Sequence, residues 1–116
     1  MPDSIIYAVA MRETGAVWSG SVVRVGLPDR RDGGDVSPWQ LSRAVLLDMR
    51  ASRTRARTDL RYAEQIARRW LAHLFNVTHN WRTALAAYHC GLRATQTRRA
   101  QSYADQCLNL AAIYNP

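Results

Sequence analysis

The sequence predicts an all-α protein of about five helices, with room for a minor β element near residues 21–27. Apolar residues recur at the three- and four-residue spacing of one helix face through most of the chain. Ser, Thr or Asn precedes most of these runs, and glycine follows two of them, as is typical of helix ends. The chain has 116 residues, so we expect one compact domain over residues 1–116.

The first predicted helix covers residues 4–13 and carries the most informative carboxyl group. Asp3 or Ser4 is suited to cap its start. Its apolar face is formed by Ile6, Val9 and Ala10. Glu13 follows Val9 by four residues and therefore projects from the face that this helix buries.

The next part of the chain is predicted to be irregular and then helical. Residues 14–36 are rich in glycine, so we expect loops there around the short β element. A helix is expected over residues 37–49. Ser37 would be its N-cap, Pro38 suits the first helical position, and Gln40 stands where a capping box places it.

The C-terminal half is predicted to hold three further helices behind a basic connector. These segments are the connector 50–57 and helices over 58–75, 81–90 and 97–114. Thr58, Asn80 and Thr97 are the expected N-caps, and Gly91 is expected to end the second of the three helices. The inner stripe of the long helix would be Tyr62, Ile66, Trp70 and Leu74. The inner face of the last helix would be Tyr103, Cys107, Leu110 and Tyr114.

Composition and charge limit the partners of this chain. Every one of the 16 basic residues is Arg, and the net charge is +7, which favours anionic polymers such as nucleic acid, lipid headgroups or bacterial cell wall. No run approaches the roughly 18 apolar residues of a membrane helix, and no leader pattern opens the chain. Cys90 and Cys107 lack metal-ligand spacing, so we expect no metal or cofactor; they are either buried thiols or a disulfide.

Glu13 and Glu64 are the two glutamates, and their settings differ. Glu64 precedes Arg68 by four residues on an amphipathic helix, as ordinary surface pairs do. Glu13 ends an apolar face ahead of a loop that carries Asp32 and Asp35. Apolar neighbours disfavour the charged form of a carboxyl and raise its pKa, and glycoside cleavage needs such an acid. The alternative is a helix-end carboxylate paired with a neighbouring arginine.

Four segments resemble goose-type lysozymes and lytic transglycosylases, in that family's order and approximate spacing. AVAMRETG (8–15) is similar to the helix that ends in the family's catalytic glutamate, and ALAAYHCG (84–91) is similar to its ALAAYNAG. SPWQL (37–41) stands where the family has GLMQ, and QSYADQCLNLA (101–111) resembles its closing helix. The resemblance covers about residues 4–114 and implies a lysozyme-like helical fold.

The resemblance also implies roles for the matching residues. Glu13 would be the general acid, Gln40 would line the sugar-binding groove, and Tyr88 would hydrogen-bond near the cleaved sugar or the acid. Trp39 and His89 adjoin these positions and are further candidates for substrate binding. For Trp39, packing in the core stays open, and for His89 the alternative is a cation that complements the helix dipole.

A second catalytic acid is implied for the loop that follows the glutamate. Asp32 is closest to the family's position, and Asp35 is the reserve. The family often carries Asp two residues after the glutamine, where this chain has Ser42. Lytic transglycosylases use a single glutamate, so hydrolysis and anhydro-sugar formation both stay open.

The sequence therefore predicts an enzyme that cuts peptidoglycan between MurNAc and GlcNAc, as a lysozyme or a lytic transglycosylase. We expect a monomer that binds the cell wall rather than nucleic acid and acts in the envelope or outside the cell. Since no signal peptide is visible, a phage-encoded enzyme or an excised domain would fit. Two alternatives remain: a non-catalytic wall-binding protein, favoured by the altered SPWQ and AYHC blocks, and a basic helical nucleic-acid-binding module, favoured by the charge.

Overall fold

The computed structural model describes residues 2–19, 22–24 and 34–113, and these are mostly helical. The elements are α1 Asp3–Thr14, β1 Val17–Ser19, β2 Val22–Arg24, α2 Arg43–Asp48, α3 Arg53–Thr58, α4 Leu60–Thr78, α5 Trp81–Cys90 and α6 Arg98–Ile113, with a 3₁₀ turn at Leu92–Ala94. The prediction of an all-α protein is confirmed. Strands β1 and β2 pair antiparallel, and β2 lies within the stretch where a minor β element was expected.

Helix α1 buries the face that the sequence predicted. Ile6, Val9 and Ala10 are fully buried, and Gly15 ends the helix in the left-handed conformation with φ 69°. The predicted start is wrong. Pro2 occupies the N-cap position without a side-chain cap, and the helix begins at Asp3. The negative charge of Asp3 interacts favourably with the positive end of the helix dipole.

The prediction of a helix start at Ser37 is also wrong. Residues 37–40 form a tight turn that is closed by the antiparallel bridge between Val36 and Leu41. Ser37 and Gln40 both have positive φ, at 73° and 52°, so neither has the backbone of a helix start. Helix α2 begins at Arg43, after Ser42 has accepted a hydrogen bond from the Val45 N–H as N-cap.

Burial of Trp39 explains why the turn replaces the predicted helix. The Trp39 side chain is 0% exposed, and its Nε1 donates to the Ile6 carbonyl at 2.8 Å. A large aromatic side chain contributes more stability on burial than a local capping signal does. Packing against α1 therefore sets the backbone of this segment.

Residues 50–57 contain a short helix instead of a simple connector. Ser52 caps α3 by accepting from the Arg55 N–H. The next N-cap is Asp59, not Thr58, because the Asp59 carboxylate accepts from the Tyr62 N–H at 3.1 Å. Helix α4 then continues past the predicted end, up to Thr78.

Helices α5 and α6 agree with the predicted boundaries. Asn80 and Thr97 accept the expected capping hydrogen bonds, and Gly91 ends α5. Helix α6 packs against α1 and α5, and α4 also packs against α5. Cys90 and Cys107 are free thiols, so the disulfide alternative is not adopted. The predicted inner-face residue Tyr114 lies outside the described residues.

Candidate active-site cleft

Glu13 lines a cleft of about 290 Å³ that is partly open to solvent. Helix α1, the 34–42 segment, α2, α4 and α5 all contribute to it. The lining residues are Glu13, Asp35, Gln40, Leu41, Ser42, Val45, Trp70, Tyr88 and His89. Of the sequence-predicted site residues, five therefore meet in one place: Glu13, Asp35, Gln40, Tyr88 and His89. Acidic, amide, phenolic and imidazole groups are thus concentrated on one apolar-backed surface.

The Glu13 side chain is half-buried, and its nearest hydrogen-bond partner is neutral. The Tyr103 hydroxyl donates to Glu13 Oε2 at 3.2 Å. Arg12, the expected alternative partner, instead donates through Nε to Gln106 and lies over the Tyr103 ring, 5.4 Å from its centroid. Among the described residues, none forms an ion pair with Glu13. No arginine of the described residues therefore neutralises this carboxyl.

Burial raises the pKa of Glu13 above its ordinary value of 4.5. The hydrogen bond from Tyr103 and the charge of Arg12 oppose this rise in pKa, whereas the charge of Asp35 adds to it. Desolvation has the largest effect on this pKa. A carboxylate loses more favourable hydration free energy on leaving water than a neutral carboxyl does, so burial favours the protonated form. Glu13 thus keeps a proton at a pH where an exposed carboxyl has lost it.

Two tyrosines lie close to this carboxyl. Tyr103 on α6 is 1% exposed, and the Tyr88 hydroxyl on α5 donates to the Trp39 carbonyl. Burial, helped by the nearby charge of Glu13, raises the pKa of both phenols well above 10. They stay protonated hydrogen-bond donors at any physiological pH.

His89 lines the cleft at the last turn of α5. Its ring stacks on the Tyr103 ring, with centroids 4.3 Å apart and planes 4° apart. Burial lowers the pKa of His89 below 6.5, and the charges of Arg99 and Arg12 lower it further. The imidazole is therefore neutral near pH 7, able to accept or donate a hydrogen bond, and does not act there as a cation that complements the helix dipole.

Gln40 and Asp35 enter the cleft from the segment before α2. The Gln40 amide nitrogen donates to the Ser37 carbonyl at 2.9 Å, which fixes the side chain within the tight turn. The capping-box interpretation of Gln40 is wrong, since the residue precedes α2 and has positive φ. Asp35 is exposed to solvent along the cleft. Asp32, the first choice for the second acid, lies outside the described residues.

Trp39 does not reach the cleft with its side chain. Its ring is completely buried and bonded to α1, so the interpretation of Trp39 as a sugar-contacting side chain does not fit its position. What it offers the cleft is its carbonyl oxygen, which holds the hydroxyl of Tyr88. Trp39 thus positions a cleft residue while it packs in the core.

Sequence reasoning missed two residues of this site, Trp70 and Tyr103. The spacing predicts that Trp70 lies in the buried stripe of α4, but the residue is only half-buried and lines the cleft. Tyr103 was expected to be an inner-face residue, and it also holds the Glu13 carboxyl across 90 positions of sequence. The four-residue spacing of Trp70 does not distinguish the centre of a buried stripe from its edge, and no local signal links Tyr103 to Glu13.

A second hollow of about 310 Å³ lies at α2 and the start of α3. It is lined by Arg43, Leu46, Leu47, Ala51 and Arg53. None of these five described residues carries a carboxyl, imidazole or thiol, so none of them could serve as an acid, a base or a nucleophile. The chemistry-bearing groups lie in the Glu13 cleft instead.

The described part of the chain shows neither a metal-binding cluster nor a membrane-spanning helix. Among residues 2–19, 22–24 and 34–113, no group of three or more His, Cys, Asp or Glu side chains is arranged to hold a metal ion. No helix in the same ranges combines the length and apolarity needed to cross a bilayer. Comparison with known protein families, with curated proteins and with solved structures finds no match for this chain.

Proposed function

We propose that this protein cleaves the glycan strands of peptidoglycan at the β-1,4 bond between MurNAc and GlcNAc, with Glu13 as the general acid. The observation that carries the proposal is the state of Glu13: half-buried, hydrogen-bonded to a neutral phenol, raised in pKa by burial, and open to a cleft. The resemblance of segments 8–15 and 84–91 to goose-type lysozymes and lytic transglycosylases supports the choice of substrate.

The first chemical step is proton transfer from Glu13 to the leaving glycosidic oxygen. A general acid works best when its pKa lies close to the working pH, and burial moves the pKa of Glu13 in that direction. The Tyr103 hydroxyl stabilises the carboxylate that remains after the proton has left, because it already donates to Oε2. One residue therefore holds the acid in place both before and after transfer.

Asp35 is the described candidate for the second carboxylate. It lines the same cleft, and its charge contributes to the raised pKa of Glu13, so the two groups interact through space. In this position it either activates a water molecule or stabilises positive charge on the sugar ring. A transglycosylase would need neither role, since the substrate's own groups then complete the reaction.

The charge of the chain suits an anionic polymer. The net charge is +7, and Arg12 and Arg99 lie near enough to His89 at the cleft to lower its pKa. Long-range attraction of this kind raises the association rate with anionic wall polymers. We propose that the protein acts on the cell wall as a monomer.

The test compares Glu13→Gln with Glu64→Gln, which removes the other glutamate of the chain. Glu13→Gln keeps the shape but has no proton to give, so we expect loss of wall-turbidity clearance of about a thousandfold or more. Glu64→Gln should remain close to wild type. Mass spectrometry of the fragments then separates reducing ends from anhydro ends and so tells hydrolysis from transglycosylation.

Two results would replace this proposal with one of its alternatives. Wall binding by the wild-type protein without any release of sugar ends would identify a non-catalytic wall-binding protein. DNA binding that weakens steeply with salt, together with no wall binding, would identify a nucleic-acid-binding module. Full activity of Glu13→Gln would remove Glu13 from the mechanism.

A further inference from the structure

Trp70 lines the cleft beside the acid but takes no part in the proton transfer described above. It lies on α4, and its side chain is half-buried. Ala67, Leu71 and Leu74 flank it along the same helix and are fully buried or nearly so. Trp70 therefore stands at the edge of the buried stripe, where part of a large indole ring stays accessible from the cleft.

Neighbouring side chains hold the Trp70 ring in place. It packs against the small buried cluster of Leu74, Ala84 and Ala87, and the His73 ring stacks on it with centroids 5.3 Å apart. A side chain supported in this way loses little conformational freedom when a ligand binds, which lowers the entropic cost of binding. The accessible part of Trp70 is thus a preformed apolar surface.

The neighbours of Trp70 in the cleft supply the polar half of a binding site. Gln40 offers an amide, Tyr88 a phenol and His89 a neutral imidazole, each suited to hydroxyl or N-acetyl groups. A sugar ring has an apolar C–H face and a polar rim, and a flat aromatic wall with a few polar groups is complementary to it.

We propose that Trp70 is a sugar-stacking residue: one ring of a glycan chain lies on the indole, so that an adjoining glycosidic oxygen comes within reach of Glu13. This inference rests on the proposed function, since it assigns a binding residue for the substrate of the same cleft. It also names a specificity: a ligand without a flat apolar sugar face gains little from Trp70.

The experiment measures binding separately from cleavage. Isothermal titration with a peptide-free peptidoglycan octasaccharide is carried out on Glu13→Gln, which cannot cut the probe. Adding Trp70→Ala should raise Kd about tenfold or more, as truncation of a buried aromatic anchor does. Trp70→Phe keeps a smaller aromatic ring and should cost less; it also serves if the alanine variant does not fold.

Trp81 provides the matched control. It is another half-buried tryptophan, but it stacks on Phe75, with centroids 4.4 Å apart, and does not line the cleft. Trp81→Phe should leave Kd within about twofold of the parent protein. An equal loss from Trp70→Phe and Trp81→Phe would show damage to packing and overturn the assignment of Trp70.

The outcomes of this experiment and of the test of the proposed function are distinguishable. In the active protein, Trp70→Phe should raise KM by a larger factor than it lowers kcat, because the indole binds a sugar ring but does not itself transfer the proton. Unchanged octasaccharide affinity in both Trp70 variants, or no affinity in the protein that retains Trp70, overturns the stacking assignment. Tight, Trp70-dependent binding by a wild-type protein that cleaves nothing upholds stacking and overturns the enzyme.

Discussion

The regions around Glu13 and Glu64 differ in what compensates a half-buried carboxyl group. Glu64 on α4 accepts from Arg68 Nε at 3.1 Å, and Asp3 holds the same guanidinium at 2.8 Å. Glu13 on α1 has an arginine next to it in sequence, yet its Oε2 accepts from the Tyr103 hydroxyl. One region balances charge with charge, and the other leaves a carboxyl whose neutral form is favoured. In the second arrangement, burial raises the pKa of the carboxyl, so Glu13 stays protonated to a higher pH than an exposed glutamate does.

The largest expected difference between the two regions is in catalysis. Glu13→Asp shortens the side chain by one methylene and withdraws the carboxyl from the cleft. Misplacement of a catalytic group by about 1 Å costs about a hundredfold in rate, so we expect at least that loss in the release of sugar ends. Glu64→Asp should stay within about twofold of wild type. Equal activity in the two variants would contradict the role of Glu13.

The next expected effect is on the pH dependence of glycan cleavage. Tyr103→Phe removes the hydrogen bond that lowers the pKa of Glu13, so that pKa rises further. The proposed general acid works only in its protonated form, so we expect the high-pH limb of kcat to move to higher pH. Tyr62→Phe is the control: the Tyr62 hydroxyl accepts from the Ser52 N–H, away from the cleft. A profile that moves to lower pH in Tyr103→Phe would show that Tyr103 does not act through Glu13.

Stability against pH should also separate the two carboxyl groups. Burial raises the pKa of Glu13 in the folded protein above 4.5. Its contribution to the free energy of unfolding is therefore complete below about pH 4.5 and is lost as pH rises through the folded value. Glu13→Gln has no such loss, so its stability relative to wild type should increase from acid to neutral pH in urea titrations. Glu64→Gln gives up its pair with Arg68 and should be less stable than wild type at pH 7. If the difference in unfolding free energy between Glu13→Gln and wild type did not change with pH, burial would not disfavour the charged form of Glu13.

The sequence alone was informative for several features that depend on nearby residues. Asn80 and Gly91 bound α5 as predicted because a cap acts within one turn of its helix. The inner face of α1 was likewise predictable from spacing, and with it the orientation of Glu13. Trp39 shows the opposite case. The turn at residues 37–40 depends on a bond to Ile6, and nothing in the local sequence reports that contact.

The candidate site divides in the same way. Glu13, Gln40, Tyr88 and His89, which the motifs singled out, line one cleft. The hydrogen bond from Tyr103 to Glu13 depends on how α6 packs against α1. The exposure of Trp70 depends on which part of the α4 surface the neighbouring helices cover. Such features follow from the packing of whole helices, so the local pattern of a sequence does not predict them.

The smallest expected effect concerns the ion pairs of Glu64. A partly exposed pair at i,i+4 contributes about 0.3–0.5 kcal/mol, so a double-mutant cycle of Glu64→Gln with Arg68→Gln should give a coupling energy of that size. Raising the salt to about 1 M should reduce the coupling, because the Debye length falls to roughly 3 Å. The stability difference between Glu13→Gln and wild type should change far less with salt, since its main cause is desolvation rather than a charge partner. If salt weakened both effects equally, the Glu13 carboxyl would be governed by neighbouring charges, and the distinction between the two regions would fail.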